Sequence, residues 1–163
     1  MNQLDRPDTP ERRLVDLGIQ LPNAAPTPIG GFCNVRRSGS LLFVSGQGPV
    51  EADGSLHCGK VGGGVTPEEA RDHARLTAIN ILATLRDHLG SLDPISGVIK
   101  LLGLVNSTPE LTRHPFIIDG ASEVLSAVFG ASGTHARSAF GVASLPNQIT
   151  VEIEAIFELR DDG

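Results

Sequence analysis

The amino-acid sequence predicts an α+β domain in which strand-like runs lie before, between and after two helical segments. Apolar residues make up 40% of the 163-residue chain and charged residues 20%, which is typical of one globular domain with a buried core. Along the chain, strand-like runs alternate with segments whose apolar residues follow a helical spacing. The predicted order is β-β-α-β-α-β-β, with two helices packed on one face of a mixed sheet.

Residues 1–27 are predicted to form an N-terminal arm that packs on the domain, and residues 28–163 the domain itself. The arm is rich in proline, which resists helix interiors and central strands. Most of the arm is therefore expected to be extended or irregular. Its one apolar patch contains Leu14, Leu17 and Ile19. Because exposing all three would be costly, we expect them to contact the domain.

Two strand-like runs, residues 32–37 and 41–45, open the domain. The residues between them, Ser38-Gly39-Ser40, suit a β-hairpin turn. Glycines and Pro49 then end the second run, and a glycine-rich loop continues to Gly64.

The strongest helix signal begins at Thr66. Thr66 can cap the helix, Pro67 suits the first helical position, and Glu69 completes a capping box. Apolar residues then recur at helical spacing as far as Gly90, a residue that suits the end of a helix.

The second half of the domain is predicted to contain a buried strand, a short helix and a closing β-hairpin. The buried strand covers residues 98–105, and a polar, proline-containing connection follows over residues 106–120. The short helix spans residues 121–129 and ends at a glycine. The last two strands are residues 137–143 and 149–159.

Charge and composition limit the partners of the chain. The net charge is −6 and all six aromatic residues are Phe, so a basic, aromatic-rich surface for nucleic acid is not expected. No apolar run approaches the length of a membrane span, and the N-terminus does not resemble a signal peptide. A cytoplasmic protein without membrane association is predicted. Two cysteines, Cys33 and Cys58, do not suggest a disulfide framework.

Three chemical motifs fail when their residues are compared with what the chemistry needs. The segment from Gly54 to Lys60 fits the first seven positions of a phosphate-binding loop, but Val61 stands where Ser or Thr must bind magnesium. The histidines have no metal-binding spacing, and His73 and His88 are expected on the solvent side of the long helix. No serine lies in a G-x-S-x-G sequence. Neither a metal nor a cofactor is predicted.

Arg137 is the strongest candidate for a ligand-binding residue. Strand alternation places Ala139 and Gly141 on its face, and these small residues leave room beside the guanidinium for a small anion. Arginine binds a carboxylate through a two-pronged, charge-assisted contact. On the last strand, Glu152 and Glu154 share a face, and either could hold a water or relay a proton. The alternative is that Arg137 only forms an ion pair with a strand glutamate.

Four segments give the chain a resemblance to a known family. They are residues 43–50 (FVSGQGPV), 136–138 (ARS), 145–146 (LP) and 151–156 (VEIEAI). In this order and spacing they resemble the hallmarks of the YjgF/Rid family, also called the endoribonuclease L-PSP family, over residues 28–159. The resemblance implies a chorismate-mutase-like fold and a homotrimer with clefts between neighbouring subunits.

The resemblance also implies an activity and its residues. The activity is hydrolysis of reactive 2-aminoacrylate-type enamines and imines to 2-keto acids and ammonia, without metal or cofactor. Arg137 corresponds to the arginine that binds the substrate carboxylate, and Glu152 to the glutamate that helps to position the attacking water. The other positions expected to border the cleft are Phe32, Ser45, Gly46 and Ala139.

Some positions depart from the family pattern. Phe32 lacks the hydroxyl of the usual tyrosine, and Ala139 replaces a cysteine found in many members. The N-terminal arm and residues 103–120 are longer than in the compact deaminases, which indicates a longer-chain branch. Four residues are expected either to reshape the cleft mouth or to cap loops: Asn106, Ser107, His114 and Asp119.

Two other functions stay open at this point. One is a trimer that binds a small carboxylate, such as a 2-keto acid, without turnover. The other is a ribonuclease, which the family's older name suggests. The acidic charge and the scarcity of aromatic residues argue against a ribonuclease.

Overall fold

Five strands form one mixed sheet in the computed structural model, which describes residues 8–23, 26–28 and 30–160. The strands are β1 (Val35–Ser38), β2 (Leu41–Gln47), β3 (Ile95–Asn106), β4 (Ala136–Val142) and β5 (Val151–Leu159). Their order across the sheet is β1-β2-β5-β3-β4, and only the β3–β4 pair is parallel. The predicted α+β class with a mixed sheet is confirmed.

The last two strands do not form the predicted hairpin. β5 inserts between β2 and β3, while β4 pairs with the far side of β3 and forms an edge of the sheet. The short segment that joins β4 to β5 contains a 3₁₀ turn, Pro146–Gln148, rather than a hairpin turn. Alternation within each strand was therefore predicted correctly, but the pairing of the two strands was wrong. Pairing depends on long-range contacts that the pattern of one strand does not contain.

The long helix α2 (Pro67–Leu89) has the predicted ends. The Thr66 hydroxyl accepts a hydrogen bond from the Glu69 amide at 3.2 Å, and the Glu69 carboxylate accepts one from the Thr66 amide at 2.7 Å. Gly90 follows the helix with φ of 81°, a conformation that glycine adopts at little cost. This capping box fixes the start of α2 immediately after the glycine-rich loop.

The second helix, α3 (His114–Phe129), begins seven residues before the predicted start at residue 121. Pro115 sits in its first turn, where the missing amide is tolerated. A side chain at Gly120 would collide with the carbonyl of Arg71 on α2, so this glycine allows the two helices to approach closely. By length and composition His114–Gly133 could cross a membrane, but half of the tested window is buried within the fold.

The arm contains a helix, α1 (Pro10–Asp16), where irregular chain was predicted. Pro10 occupies the first helical position, and the Thr9 side chain caps the helix. Leu14 is buried and Ile19 packs against the core, as expected, but Leu17 is exposed. Proline density therefore misled the prediction, because proline at a helix start does not oppose the helix. The described residues form three α-helices beside the sheet, where two were predicted.

Helices α2 and α3 pack on one face of the sheet and bury the inward residues of β2, β3 and β5. The opposite face remains open in the subunit. Its exposed aromatic residues are Phe43 on β2 and Phe140 on β4, with 41% and 46% of their surfaces accessible. Between them lie the partly buried side chains of Leu102, Leu104 and Ile156.

Candidate functional site

The Glu152 side chain, on β5, packs directly against the end of β2. Its carboxylate occupies the space where a side chain at residue 46 would stand, so Gly46 must lack a side chain for Glu152 to adopt this position. The β-bulge between Val44 and Gln47 interrupts the pairing of β2 with β5 at this point. A bulge re-aims neighbouring groups, and here it brings the backbone at Gly46 against the Glu152 carboxylate.

Glu152 opens into a cavity of about 600 Å³. The cavity is bounded by the N-terminal segment, the end of β2, the loop after it and the turn before β5. Glu152 and Asn34 are among its few polar side chains, and most of its wall is apolar. Its main apolar and backbone walls come from Pro28, Phe32, Gly46, Val50, Leu56 and Ile149.

Burial raises the pKa of the Glu152 carboxyl above its ordinary value, and the neighbouring charge of Glu154 adds to the effect. The described residues offer the Glu152 carboxylate no ion pair. A carboxyl whose pKa is moved toward neutrality can accept and return a proton more readily than an exposed one. Glu152 is therefore a partly buried carboxyl with a raised pKa on the wall of this cavity.

Two other predicted residues lie at this end of the sheet with different roles. Phe32 is exposed on the cavity wall and precedes β1, which starts at Val35 instead of residue 32. The Ser45 hydroxyl donates a hydrogen bond to the Cys33 carbonyl at 2.7 Å. Ser45 thus ties β2 to the segment that carries Phe32, while Phe32 and Gly46 face the cavity.

Arg137 lies away from this cavity. In the register of the sheet, Arg137 pairs with Leu101 and Leu101 with Ala155, whereas Glu152 pairs with Leu104. β3 separates the strands of Arg137 and Glu152. Strand alternation also directs the two side chains to opposite faces of the sheet. Within one subunit, the structure does not bring Arg137 and Glu152 together.

The Arg137 guanidinium rests on α3. It donates to the Asp119 carboxylate at 2.8 Å, to the Ser122 hydroxyl at 3.0 Å and to the Pro115 carbonyl at 3.3 Å. The expected alternative, an ion pair with a strand glutamate, is thus replaced by a pair with a helix aspartate. These contacts use both Nη atoms, and among the described residues the Nε–H has no partner. Nε–H is one of the guanidinium donors that can bind a carboxylate.

The open volume predicted beside the small residues of β4 is occupied at one position. A side chain at residue 141 would collide with the Ser107 hydroxyl and would lie 2.7 Å from Nε2 of His114. Ala139 is partly buried against the hydrophobic core. Gly141 is small because two polar side chains from the 106–120 segment pack over it.

The four residues of the 106–120 segment that were singled out have separate contacts. Asn106 is buried and accepts a hydrogen bond from Lys60 at 3.1 Å, so it fixes the glycine-rich loop. Asp119 orients Arg137, and Ser107 lies 3.1 Å from His114. Sequence reasoning left Ser107 and His114 open between the cleft mouth and loop capping, and did not predict that they pair. The feature that the sequence reasoning missed is the start of α3 at His114, because this start sets the distance between the Ser107 and His114 side chains.

The glycine-rich loop is held by an imidazole stack. The rings of His57 and His73 stack with centroids 4.2 Å apart, His57 contacts Glu51 at 2.7 Å, and His73 contacts the Thr150 hydroxyl at 3.0 Å. His73 is therefore partly buried, contrary to the prediction of a solvent-facing side chain, whereas His88 is exposed as predicted. Residues of the same loop line the cavity that contains Glu152.

Burial and the neighbouring His57 lower the pKa of His73 below its ordinary 6.5. The folded state thus holds this proton less well than the unfolded state, so stability is lost as pH falls through 6.5 toward the lower folded pKa. Glu69, Asp72 and Glu51 oppose the shift. Because His73 is only partly buried, the expected loss of Tm between pH 7 and pH 5 is a few degrees at most.

Calorimetry at both pH values measures this effect. His73→Asn is expected to lose less Tm on acidification than the parent, and His88→Asn, on the exposed side of α2, is the matched control. An equal loss in His73→Asn and in the parent would contradict the contribution of the stack.

Other candidate chemistry is limited in the described part of the chain. Among residues 8–23, 26–28 and 30–160, no group of three His, Cys, Asp or Glu side chains could hold a metal ion. Val61, the residue that breaks the phosphate-loop pattern, is buried and bridges to Ser107 instead of starting a helix. Cys33 and Cys58 are exposed, free thiols.

Comparisons with known proteins agree on one family. The family model described as "YjgF/chorismate mutase-like, putative endoribonuclease" matches residues 11–157. Protein TCP17 of Trypanosoma cruzi is 39% identical over 146 residues, which are 89% of this chain and 91% of that protein. The crystal structure of Atu1372 from Agrobacterium tumefaciens, a protein of unknown function, is 44% identical with a TM-score of 0.84, over 94% of both chains. E. coli TdcF, solved with bound serine, is 25% identical with a TM-score of 0.62, over 87% of this chain and 99% of TdcF.

Proposed function

This chain belongs to the YjgF/chorismate mutase-like family, and we propose that it hydrolyses reactive 2-enamine and 2-imino acids to 2-keto acids and ammonia. Membership of the family is shown by the comparisons, and the reaction is the step that we propose. Its chemistry needs an anchor for a carboxylate, a group that positions and deprotonates water, and no electrophilic cofactor, because an imine is already electrophilic.

The observation that carries the proposal is that Arg137 and Glu152 lie apart within one subunit, with β3 between their strands. The Nε edge of Arg137 lacks a partner among the described residues, and Glu152 lies in a cavity without a positive charge on its wall. Each group therefore forms half of a site for a small acid. In a ring of identical subunits, one contact can join the Arg137 half of one subunit to the Glu152 half of its neighbour.

The open face of the sheet supports such an assembly. Phe43 and Phe140 are exposed on this face, and the apolar side chains between them are only partly covered. An apolar face on a sheet is normally buried against another layer. A homotrimer that packs these faces together would cover them and bring sheet edges of neighbouring subunits into contact.

The proposed reaction follows from the two halves. Arg137 would hold the substrate carboxylate through its free edge, which fixes the neighbouring C2 atom. Glu152 would accept a proton from a water as the water oxygen attacks C2 of the imine, and would return it to the nitrogen. The carbinolamine then breaks its C–N bond as its hydroxyl proton passes to the nitrogen, which releases ammonia and leaves the C=O of the keto acid.

Mixing two inactive variants tests the shared site directly. Arg137→Ala subunits keep Glu152, and Glu152→Gln subunits keep Arg137. If random trimers form from a 1:1 mixture, about one quarter of the interfaces pair an intact arginine with an intact glutamate. We expect about one quarter of the parental keto-acid release after the subunits are unfolded and refolded together.

Each variant refolded alone is the control, and sedimentation of the parent is expected at three times the 17.1 kDa subunit mass. An active monomer, or a mixture no more active than its parts, would contradict the shared site.

A carboxylate-binding trimer without turnover is the second candidate. Phe32 has no hydroxyl to donate a proton on the wall beside Glu152, and TdcF was solved with serine, itself a small carboxylate. This function predicts that calorimetry detects binding of 2-oxobutyrate that depends on Arg137, while the parent does not accelerate keto-acid release. Cleavage of RNA that is lost in Arg137→Ala would instead support the nuclease named in the family description.

A further inference from the structure

Ser107 and His114 form a polar pair on the Arg137 side of the subunit. The Ser107 hydroxyl lies 3.1 Å from Nε2 of His114. Ser107 is buried just after the end of β3, and His114 is the first residue of α3. Two separate elements therefore hold the two side chains in hydrogen-bond contact.

The pair packs on Gly141 and faces a cavity. A side chain at residue 141 would strike both Ser107 and His114, so β4 provides room for the pair only with glycine there. Ser107, His114 and Gly141 all line a cavity of about 310 Å³, which is separate from the one that contains Glu152. This volume suits a small ligand with a few polar contacts.

The cavity lies close to the proposed carboxylate anchor. Arg137 and Gly141 share one face of β4, four residues apart, which is about 13 Å along a strand. The Arg137 guanidinium shortens this gap because it donates to the carbonyl of Pro115, the residue that follows His114. Arg137 and the pair thus both contact the first turn of α3.

We propose that Ser107 and His114 are the proton donor and acceptor of the deamination site, an inference that rests on the proposed function. On the cavity wall beside Glu152 stands the Phe32 ring, which has no hydroxyl to donate a proton. The reaction therefore needs a second group that transfers protons besides Glu152. Histidine changes its charge near neutral pH and suits this task.

The proton transfers balance as follows. The Ser107 hydroxyl gives its proton to C3 of the enamine, and protonated His114 replaces it from Nε2, which forms a C3–H bond and an iminium. Water adds to C2 while Glu152 takes the water proton, and the C=N electron pair moves to nitrogen. Glu152 then protonates the nitrogen, and the C–N bond breaks as the hydroxyl proton passes through Ser107 to His114.

Kinetics of His114→Gln and Ser107→Ala test these roles. We expect kcat to fall about 100-fold in each variant, with KM for the acid little changed because Arg137 is intact. Proton transfer from His114 through Ser107 is expected to give the parent a solvent deuterium isotope effect on kcat, and this effect is expected to be lost in His114→Gln. His88→Gln, an exposed histidine of α2, is the matched control. A solvent isotope effect that persists unchanged in His114→Gln would overturn the proposal.

A binding measurement on the parent separates this inference from the proposed function. Two-dimensional NMR of the imidazole nitrogens is recorded while 2-oxobutyrate is added. We expect the His114 signals to move and the His88 signals to stay. A parent that does not release keto acid but shows this shift would reject the deaminase and retain the pair as a ligand contact. Unmoved His114 signals during Arg137-dependent binding would reject the pair, and no binding at all would reject both.

Discussion

Replacing Arg137 by alanine is expected to reduce kcat/KM for keto-acid release by about 100- to 1000-fold. In the proposed site the guanidinium would fix the substrate carboxylate in two directions, and without it the substrate would be neither held nor oriented for attack at C2. A coupled assay measures this loss, with a pyridoxal-phosphate dehydratase supplying the unstable enamine and the keto acid as the readout.

The fold should tolerate this change. Arg137 forms an ion pair with Asp119 that is only partly shielded from solvent, and such pairs contribute about 1 kcal/mol or less to stability. Arg75→Ala, which removes an exposed arginine from α2, is the matched control. Arg137→Lys keeps the charge but loses the fork, so it is expected to fall between the parent and Arg137→Ala.

Asp119→Asn adds a sharper comparison. The Asp119 carboxylate and the substrate carboxylate are both attracted to the same guanidinium. If Asp119 mainly orients Arg137, the asparagine variant keeps a hydrogen-bond acceptor and retains most of the activity. A rate in Arg137→Ala equal to that of Arg75→Ala would rule Arg137 out as the anchor.

The sequence was informative where local physical chemistry decides structure. Thr66, Pro67 and Glu69 specify the start of α2, and Gly90 its end, because capping involves only neighbouring residues. The alternation of Arg137 and Ala139 with their neighbours on β4 was equally predictable. None of these features depends on distant parts of the chain.

The pairing of strands could not be predicted in the same way. The two last strands are close in sequence, yet β5 lies between β2 and β3, because its apolar face is better buried in the centre of the sheet than at an edge. This order separates Arg137 from Glu152, which sequence proximity had placed together. The expected roles of the two residues came from the resemblance to the family. That they lie apart within one subunit was learned only from the order of the strands.

The pair of Ser107 and His114 illustrates the same limit. The prolines of residues 106–120 suggested a connection between elements, but Pro115 lies in the first turn of α3, which begins at His114 and holds it beside Ser107. Proline marks both loops and helix starts. Only the apolar spacing after Pro115 distinguishes these two possibilities, and the short apolar run makes that signal weak.

Replacing Glu152 by glutamine is expected to reduce kcat by about 100- to 1000-fold, with KM nearly unchanged. Glutamine keeps the size of the side chain and its place over Gly46, but it cannot accept a proton from water. Keto-acid release at saturating substrate measures the change. Glu154→Gln, on the same face of β5, is the matched control.

The catalytic rate of the parent is expected to change with pH in a defined direction. Glu152 must be ionised to act as a base, so the parental rate rises with pH through its raised pKa. This acidic limb should vanish in Glu152→Gln. In Glu154→Gln the limb should move to lower pH, because the charge of Glu154 contributes to the raised pKa of Glu152.

Ionisation of Glu152 with rising pH should lower the stability of the fold while it raises the catalytic rate. The folded state binds the Glu152 proton more tightly than the unfolded state, whose carboxyl titrates near 4.5, so ionisation of Glu152 destabilises the fold as pH rises. Glu152→Gln removes this cost and is expected to raise Tm slightly at pH 7, by a gain that shrinks as pH falls through the raised pKa and is gone below pH 4.5. A variant that loses catalysis while it gains stability would identify Glu152 as a residue kept for its chemistry. Loss of both would instead assign Glu152 to the structure.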